Sequence, residues 1–262
     1  MPVTSSNALL PSALSQLIGT PKCPLIIDIR IDEDFTLYPK ILPTSIRLSF
    51  REVEHWANRF QEQHTVIICQ GGLKLSQGVC AYLRQIGQHS QFLKDGFAGW
   101  TQINAPLINP QAMPARNHKD HSLWVSHSNL TINQCASTWL IRRFIDRNAD
   151  FLLVEQDQVL NVADRFSATA FDVEGAHFNH DRMLSSFERI LTAFGLDSSA
   201  LTKFVQHIHP ILHDNVKKIE QTDLLSTLIK GISASHQDDY AYLDATIQFY
   251  DWLYSACIEQ ES

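Results

Sequence analysis

The residues with the most chemistry in their spacing run Val66-Ile67-Ile68-Cys69-Gln70-Gly71-Gly72-Leu73-Lys74-Leu75-Ser76. An apolar β-branched run delivers a cysteine to its carboxyl end, a short loop with two glycines follows, and helical spacing starts at once. Ligands of open α/β sheets bind at such strand ends. The amides from Gln70 to Leu75 and the helix N-terminus can turn towards the sulfur and form a cradle for negative charge. Settings of this kind favour thiolate over thiol. The same cradle fits a small oxyanion, with Lys74 adding positive charge. The competing reading is a buried, inert cysteine that ends a strand, the commoner fate of the residue type. Gly71-Gly72 and the immediate helix start point towards reactivity. Asp28 and Arg30, at the end of an earlier apolar run, are candidates to shape the same site. Arg30 is the candidate anion ligand, and a structural Asp28–Arg30 ion pair is the alternative. Cys80, on the helix after the loop, reads as packing rather than as a resolving thiol.

A second group of candidates comes from the twelve histidines. His177-x-x-His180 and His207-x-His209-x-x-x-His213, with Asp181 and Asp214 close by, offer nitrogen and oxygen ligands for a metal. His177, His180 and His209 are the candidate ligands. His209 and His213 are four apart and would share a helix face, but Pro210 is expected to interrupt the helix between them. No cysteine accompanies these residues and no HExxH pattern is present, so solvated surface histidines are the alternative.

The elements that must position these groups fall into two patterns. In the first, short apolar strands at Pro24–Arg30, Thr65–Ile68 and Ser90–Leu93 alternate with helical spacing over Leu75–Gln85, closed by Gly87. Strand, helix and strand between Thr65 and Leu93 make a βαβ unit with a parallel sheet. In the second pattern helices dominate. One holds Trp139, Leu140, Arg143 and Phe144 and begins near Asn133; a strand follows at Phe151–Val154 and a short helix over Val159–Phe166. Ser185-Ser186-Phe187-Glu188 has the form of a capping box and opens a helix to about Phe194, ended by Gly195. Helices over Asp197–His207, Thr222–Ser235 and Asp238–Cys257 complete the chain. Between Ala105 and Ser122, prolines and polar residues without an apolar face read as a linker.

Composition bounds the rest. The chain has 262 residues, is 44% hydrophobic and 19% charged, and its length favours two domains. No apolar run is long enough for a membrane span, and the first 20 residues show no secretory signal. Five scattered cysteines fit reduced thiols in a cytoplasm, the expected location. The first 110 residues carry nine basic against eight acidic side chains and the remainder twelve against twenty, for a net charge of −7. An acidic second half without a basic stripe argues against nucleic acid and anionic lipid as partners.

The first 105 residues resemble a rhodanese domain. The resemblance rests on Ile27-Asp28-Ile29-Arg30, on the loop Cys69–Leu75 with its helix, and on Asp95-Gly96-Phe97-Ala98-Gly99-Trp100. It implies that Cys69 takes a sulfane sulfur as a persulfide from a thiosulfate-like anion and passes it to a thiol or other thiophilic acceptor, with no added cofactor. Gln70 stands where the family often has a basic residue, and Pro43-Thr44-Ser45 replaces its Pro-Gly-Ala turn, departures that imply a different donor selectivity. Cysteine phosphatases of related fold need an arginine six positions after the cysteine. Leu75 occupies that position here, which excludes them.

Residues from about 122 to 257 resemble the C-terminal domain of the chromate-resistance protein B family. Ser122-Leu123-Trp124-Val125, Trp139-Leu140-Ile141-Arg142-Arg143-Phe144-Ile145-Asp146, Phe171-Asp172-Val173-Glu174-Gly175 and His180 carry the likeness. The family pattern has cysteines where this chain has Ser137 and Ser185, and an aspartate at Asn133, which argues against thiol chemistry in this half. His180 and Glu174 remain as polar-site candidates. Arg142 and Arg143 read as helix packing or an ion pair with Asp146 or Glu155.

The expected architecture is therefore an α/β rhodanese-like domain over residues 1–105, its parallel sheet flanked by helices. A linker over 106–121 and a mainly α-helical (α+β) domain over 122–262 follow. The expected function is sulfur transfer through Cys69, with a link to chromate resistance. Thiosulfate and chromate are both tetrahedral dianions, so a chromate-type oxyanion is a further expected ligand. The rival readings are a non-enzymatic oxyanion sensor and a metal-dependent enzyme centred on the C-terminal histidines.

Overall fold

In a computed structural model, residues 7–181, 183–213 and 220–259 are described, the side chains at 221 and 222 excepted. They divide into two compact units, Met1–Pro110 and Gln111–Ser262.

The first unit runs β1 (Ala8–Leu9), α1 (Pro11–Leu17), β2 (Leu25–Asp28), α2 (Asp32–Leu37), β3 (Ile46–Arg47), α3 (Val53–Trp56), β4 (Thr65–Ile68), α4 (Lys74–Gln85), β5 (Ser90–Leu93) and α5 (Gly96–Gln102). The strands form one parallel sheet in the order β1-β5-β4-β2-β3. β2 and β4 are buried along their whole length, as a sheet covered on both faces requires, which is why both read as continuous apolar runs. From β2 the chain moves outward to β3, and from β4 it moves outward to β5. The loops after β2 and β4 therefore diverge, and a crevice opens beyond their carboxyl ends. One face of the sheet packs Ile27, Ile29 and Ile67 on Val79, Cys80 and Leu83 of α4. β1 and β3, two residues each, are too short to carry a periodic signal in the sequence.

The second unit contains β6 (Leu123–His127), α6 (Ile132–Leu140), β7 (Asp150–Val154), α7 (Val159–Phe166), β8 (Thr169–Ala170), α8 (Ser186–Ala193), α9 (Ser199–Leu212), α10 (Glu220–Ala234) and α11 (Asp239–Glu259). Its three strands are parallel in the order β7-β6-β8. α6 starts at the N-cap Thr131 rather than at Asn133, and Thr131 and Gln134 make a reciprocal capping box. Its last turn widens into π geometry over Ile141–Ile145. Arg142 pairs with Asp244 at 3.1 Å, and Arg143 makes a two-pronged bond to Asp251 at 2.7 and 2.8 Å. Those partners on α11 replace the expected Asp146 and Glu155. Asp146 instead accepts from the Ser122 and Asn148 amides.

The region between the apolar patterns takes part in both units. Ile108 is buried and pairs with Ile41, and the Trp100 indole donates to the Pro106 carbonyl. Arg116 bridges to Ser122, while Asn117 and His121 both contact the Asp150 carboxylate. Among the described residues, no helix is long and apolar enough to cross a membrane.

Candidate functional site

β4 is the central strand of the first sheet, and Cys69 is its first residue beyond the carboxyl end. The side chain is 5% exposed and its Sγ lies 3.1 Å from the Ser76 hydroxyl. The loop from Gln70 to Leu73 leads directly into α4. Among the described residues, the backbone N–H groups of Gln70 to Ser76 have no backbone acceptor. A row of unshared donors at a helix start concentrates positive potential around the turn that holds the sulfur. The loop carbonyls are held from the other side. Phe97 N–H donates to Cys69 O at 2.9 Å, and Ala98 N–H donates to Gln70 O at 3.0 Å.

Two glycines permit that close approach. Gly72 has φ +65°, and a Cβ there would stand 2.6 Å from the Gly96 nitrogen and the Leu93 oxygen. Gly96 has φ +57°, and its Cβ would meet Cys69 O at 2.2 Å. In the sequence Gly71-Gly72 reads as a pair. The structure separates them, since a Cβ on Gly71 would meet only Leu73 side-chain carbons at ordinary distance. Gln70, Gly71 and Leu75 are half-buried, Gly72 is buried, and Lys74 and Leu73 are exposed, so the Lys74 charge is screened by water.

The Arg30 guanidinium is committed to partners outside the cysteine loop. Its Nη2 donates to Asp28 at 2.6 Å and to the Lys40 carbonyl, and its Nε donates to both Asp28 oxygens. The guanidinium also stacks 3.7 Å above the Phe97 ring, and both charged side chains are fully buried. A planar fork committed in this way is a structural pair, the alternative that the sequence leaves open. Cys80 donates to the Ser90 carbonyl at 3.3 Å, and burial pushes its thiol pKa up, as expected of a packing residue.

In the second unit the polar residues gather at the N-terminus of α8. β8 and β7 lie on opposite sides of β6, so a crevice again opens beyond the ends of β6 and β8. Asp172, just after β8, is buried there with φ +55°. Its carboxylate accepts from Asn133 at 2.6 Å, Ser186 at 2.8 Å and Thr131 at 3.1 Å, and lies 3.0 Å from His180 Nδ1. One helix turn on, Glu188 lies 2.6 Å from His209 Nδ1 and 2.8 Å from His213 Nε2. Burial raises the Glu188 pKa, but hydrogen bonds from Ser185, His213 and His209 outweigh it and hold the carboxyl below its ordinary value.

Residues 124–257 match the family described as ChrB, C-terminal domain, more than half of the sequence. The chain belongs to the ChrB C-terminal domain family. Residues 10–103 match the Rhodanese-like domain family. A curated relative, Protein ChrB of Cupriavidus metallidurans, is 34% identical over 153 residues, 58% of this chain and 44% of the relative. The match thus spans less than half the length of that relative. Among solved structures, a rhodanese-like domain protein from Staphylococcus aureus is 22% identical, covering 36% of this chain and 90% of its own, with a TM-score of 0.33. A rhodanese-related protein from Thermoplasma volcanium is 17% identical over 39% of this chain and 97% of its own, with a TM-score of 0.34.

Within the ChrB domain, His177, His180 and His209 do not form one ligand set. His177 is exposed and packs edge-on to Phe178, and His180 turns to Asp172. Among the described residues the metal-competent grouping is Glu188, His209 and His213. Pro210 does not separate the two histidines, because α9 continues through it to Leu212 and the rings lie 4.5 Å apart. Asp214 lies outside the described residues, and Glu174 is exposed. Asp172 and Glu188, at the centre of these contacts, are not legible as candidates from local sequence. The sequence marks Glu188 as the capping partner of Ser185, a role it fills. The pair His209 and His213, spaced one turn apart, was the available signal for its second role.

Proposed function

We propose that the rhodanese-like unit is a sulfurtransferase in which Cys69 carries a persulfide. The observation that carries this reading is the row of N–H groups from Gln70 to Ser76 without backbone acceptors, in the loop and helix start that directly follow the cysteine. The Cys69 thiolate attacks the outer sulfur of a thiosulfate-like donor. A new S–S bond forms, the donor's S–S bond breaks, and its electron pair leaves on sulfite. The loop amides then hold the negative persulfide until a thiol or cyanide takes the outer sulfur and restores the thiolate. No cofactor is needed for this balance. Ser76 donates to the sulfur in its charged forms, a positioning role supported by the 3.1 Å contact. A cytoplasmic, reducing compartment would keep Cys69 available.

A second reading draws support from the 5% exposure of Cys69. In it the cradle binds a tetrahedral dianion of the thiosulfate or chromate class without turnover, and the protein acts as an oxyanion sensor linked to chromate resistance. Intact mass spectrometry of reduced protein after thiosulfate treatment, beside Cys69→Ser, separates the two. A gain of one sulfur in the wild type alone supports the carrier. No gain, with Cys69 still open to alkylation, refutes the carrier and leaves the sensor.

A further inference from the structure

We propose that Glu188, His209 and His213 form a binding site for one divalent transition-metal ion, with zinc the ion their chemistry matches best. The site lies in the second unit and is independent of the Cys69 chemistry.

Two imidazoles and one carboxylate are a ligand set that zinc uses in sites with an open fourth position. Two nitrogen donors turn away hard ions such as magnesium and calcium, which take oxygen ligands. The three ligand atoms already face one another, all within 4.8 Å. In a tetrahedral zinc site, neighbouring ligand atoms stand about 3.3 Å apart. His209 Nδ1 stands 2.6 Å from Oε1 of Glu188 and His213 Nε2 stands 2.8 Å from Oε2, so a small opening of the side chains brings both contacts to that spacing.

The surroundings are those of a built site. Ser185 donates to Glu188 Oε2 through its N–H at 2.8 Å and its hydroxyl at 2.9 Å, which fixes the carboxylate and leaves Oε1 directed at His209. Outer contacts of this kind orient ligands and raise metal affinity. The two helices are held by their own core, in which Phe187 of α8 meets Phe204 of α9 at 6.1 Å between ring centres. Phe204 in turn stacks on Trp139 at 4.3 Å. Exposure is graded across the cluster. His213 and Glu188 side chains are 6% and 11% exposed, whereas His209 is 40% exposed. An ion would enter past His209, and its fourth position would take water or a small anionic ligand.

The test uses the full chain without a polyhistidine tag, stripped with chelator and titrated with Zn²⁺ against a chromophoric competitor. Cobalt(II) serves as a spectroscopic probe of geometry. The expected result is one tightly bound Zn²⁺ per chain, a higher Tm with zinc, and the visible band of four-coordinate cobalt. Glu188→Gln preserves the capping box and should therefore keep the fold. It and His209→Asn should each weaken zinc about 100-fold or more, beyond what outer-contact changes cause. His177→Asn and His207→Asn should leave binding unchanged. Stoichiometric zinc that survives both Glu188→Gln and His209→Asn would overturn the proposal, because the ion would then sit on other histidines. So would the absence of zinc binding by wild-type protein with a native circular dichroism spectrum; the cluster would then be a hydrogen-bonded anchor between α8 and α9.

Discussion

Gly96 meets Cys69 so closely that a Cβ on the glycine would stand 2.2 Å from the cysteine carbonyl oxygen. The next residue, Phe97, donates its N–H to that same oxygen at 2.9 Å. The start of α5 is thus the back wall of the cysteine loop, and glycine at position 96 follows from steric necessity.

Gly96→Ala should destabilise the first unit by several kcal/mol, since backbone strain at φ +57° adds to an overlap with backbone that cannot rotate away. Urea unfolding should show this, together with faster alkylation of Cys69 as the loop loosens. Gly71→Ala, where the added carbon meets only ordinary contacts, should cost about 1 kcal/mol or less.

The buried Arg30–Asp28 pair makes a different kind of prediction. Asp28→Asn leaves a buried guanidinium without its counter-charge and should cost about 3–5 kcal/mol. Arg30→Lys should fail to restore stability, because an ammonium cannot reproduce the fork on Asp28 or the stack on Phe97. A lysine variant of full stability but slowed persulfide formation would mean that Arg30 contacts the anion after all.

Thr44 sits at φ +58°, a conformation that a β-branched residue enters only under strain. Thr44→Gly should relieve it and raise stability by about 1 kcal/mol, read as a higher urea midpoint. A lower midpoint would show that the buried threonine's packing outweighs its backbone strain.

Alkaline pH should unfold the second unit early. Burial pushes the Cys135 thiol up to about 11, and Tyr242 and Tyr250 are raised well above their ordinary values by burial too. An unfolded thiol gives up its proton near pH 9 while the folded one keeps it. Stability is therefore fully present below about pH 9 and falls as pH rises to about 11, by about 3 kcal/mol for Cys135 alone. Cys135→Ala, compared with wild type across pH 8 to 11 by denaturant unfolding, should show a flatter loss. Parallel curves would remove Cys135 as the cause.

Much of this molecule is legible without coordinates, for a local reason. β4, α4 and β5 follow from a β-branched run, a 3.6-residue apolar stripe and a glycine stop, all signals carried within a few residues. The Ser185–Glu188 capping box is equally local, and the helix it opens ends at Gly195 with φ +66° as expected. The Cys69 loop could be read because strand, loop and helix are consecutive. Arg30 could not be assigned, since its choice between anion and Asp28 depends on where residues 38–40 and Phe97 come to lie.

The second unit's polar centre belongs wholly to the tertiary structure. Asn133, Asp172 and Ser186 meet only because β8 crosses to the far side of β6, bringing together side chains 39 and 14 residues apart. Glu188 reaches His209 and His213 only because the aromatic core sets α8 against α9. Pro210 was a local signal pointing the wrong way. The packing of Phe204, Ile208 and Ile211 carries α9 through it, since burial of a helix face outweighs one missing N–H bond. Local chemistry was readable in the chain; which distant groups became neighbours was decided by the packing of apolar faces, whose partners no short stretch of sequence names.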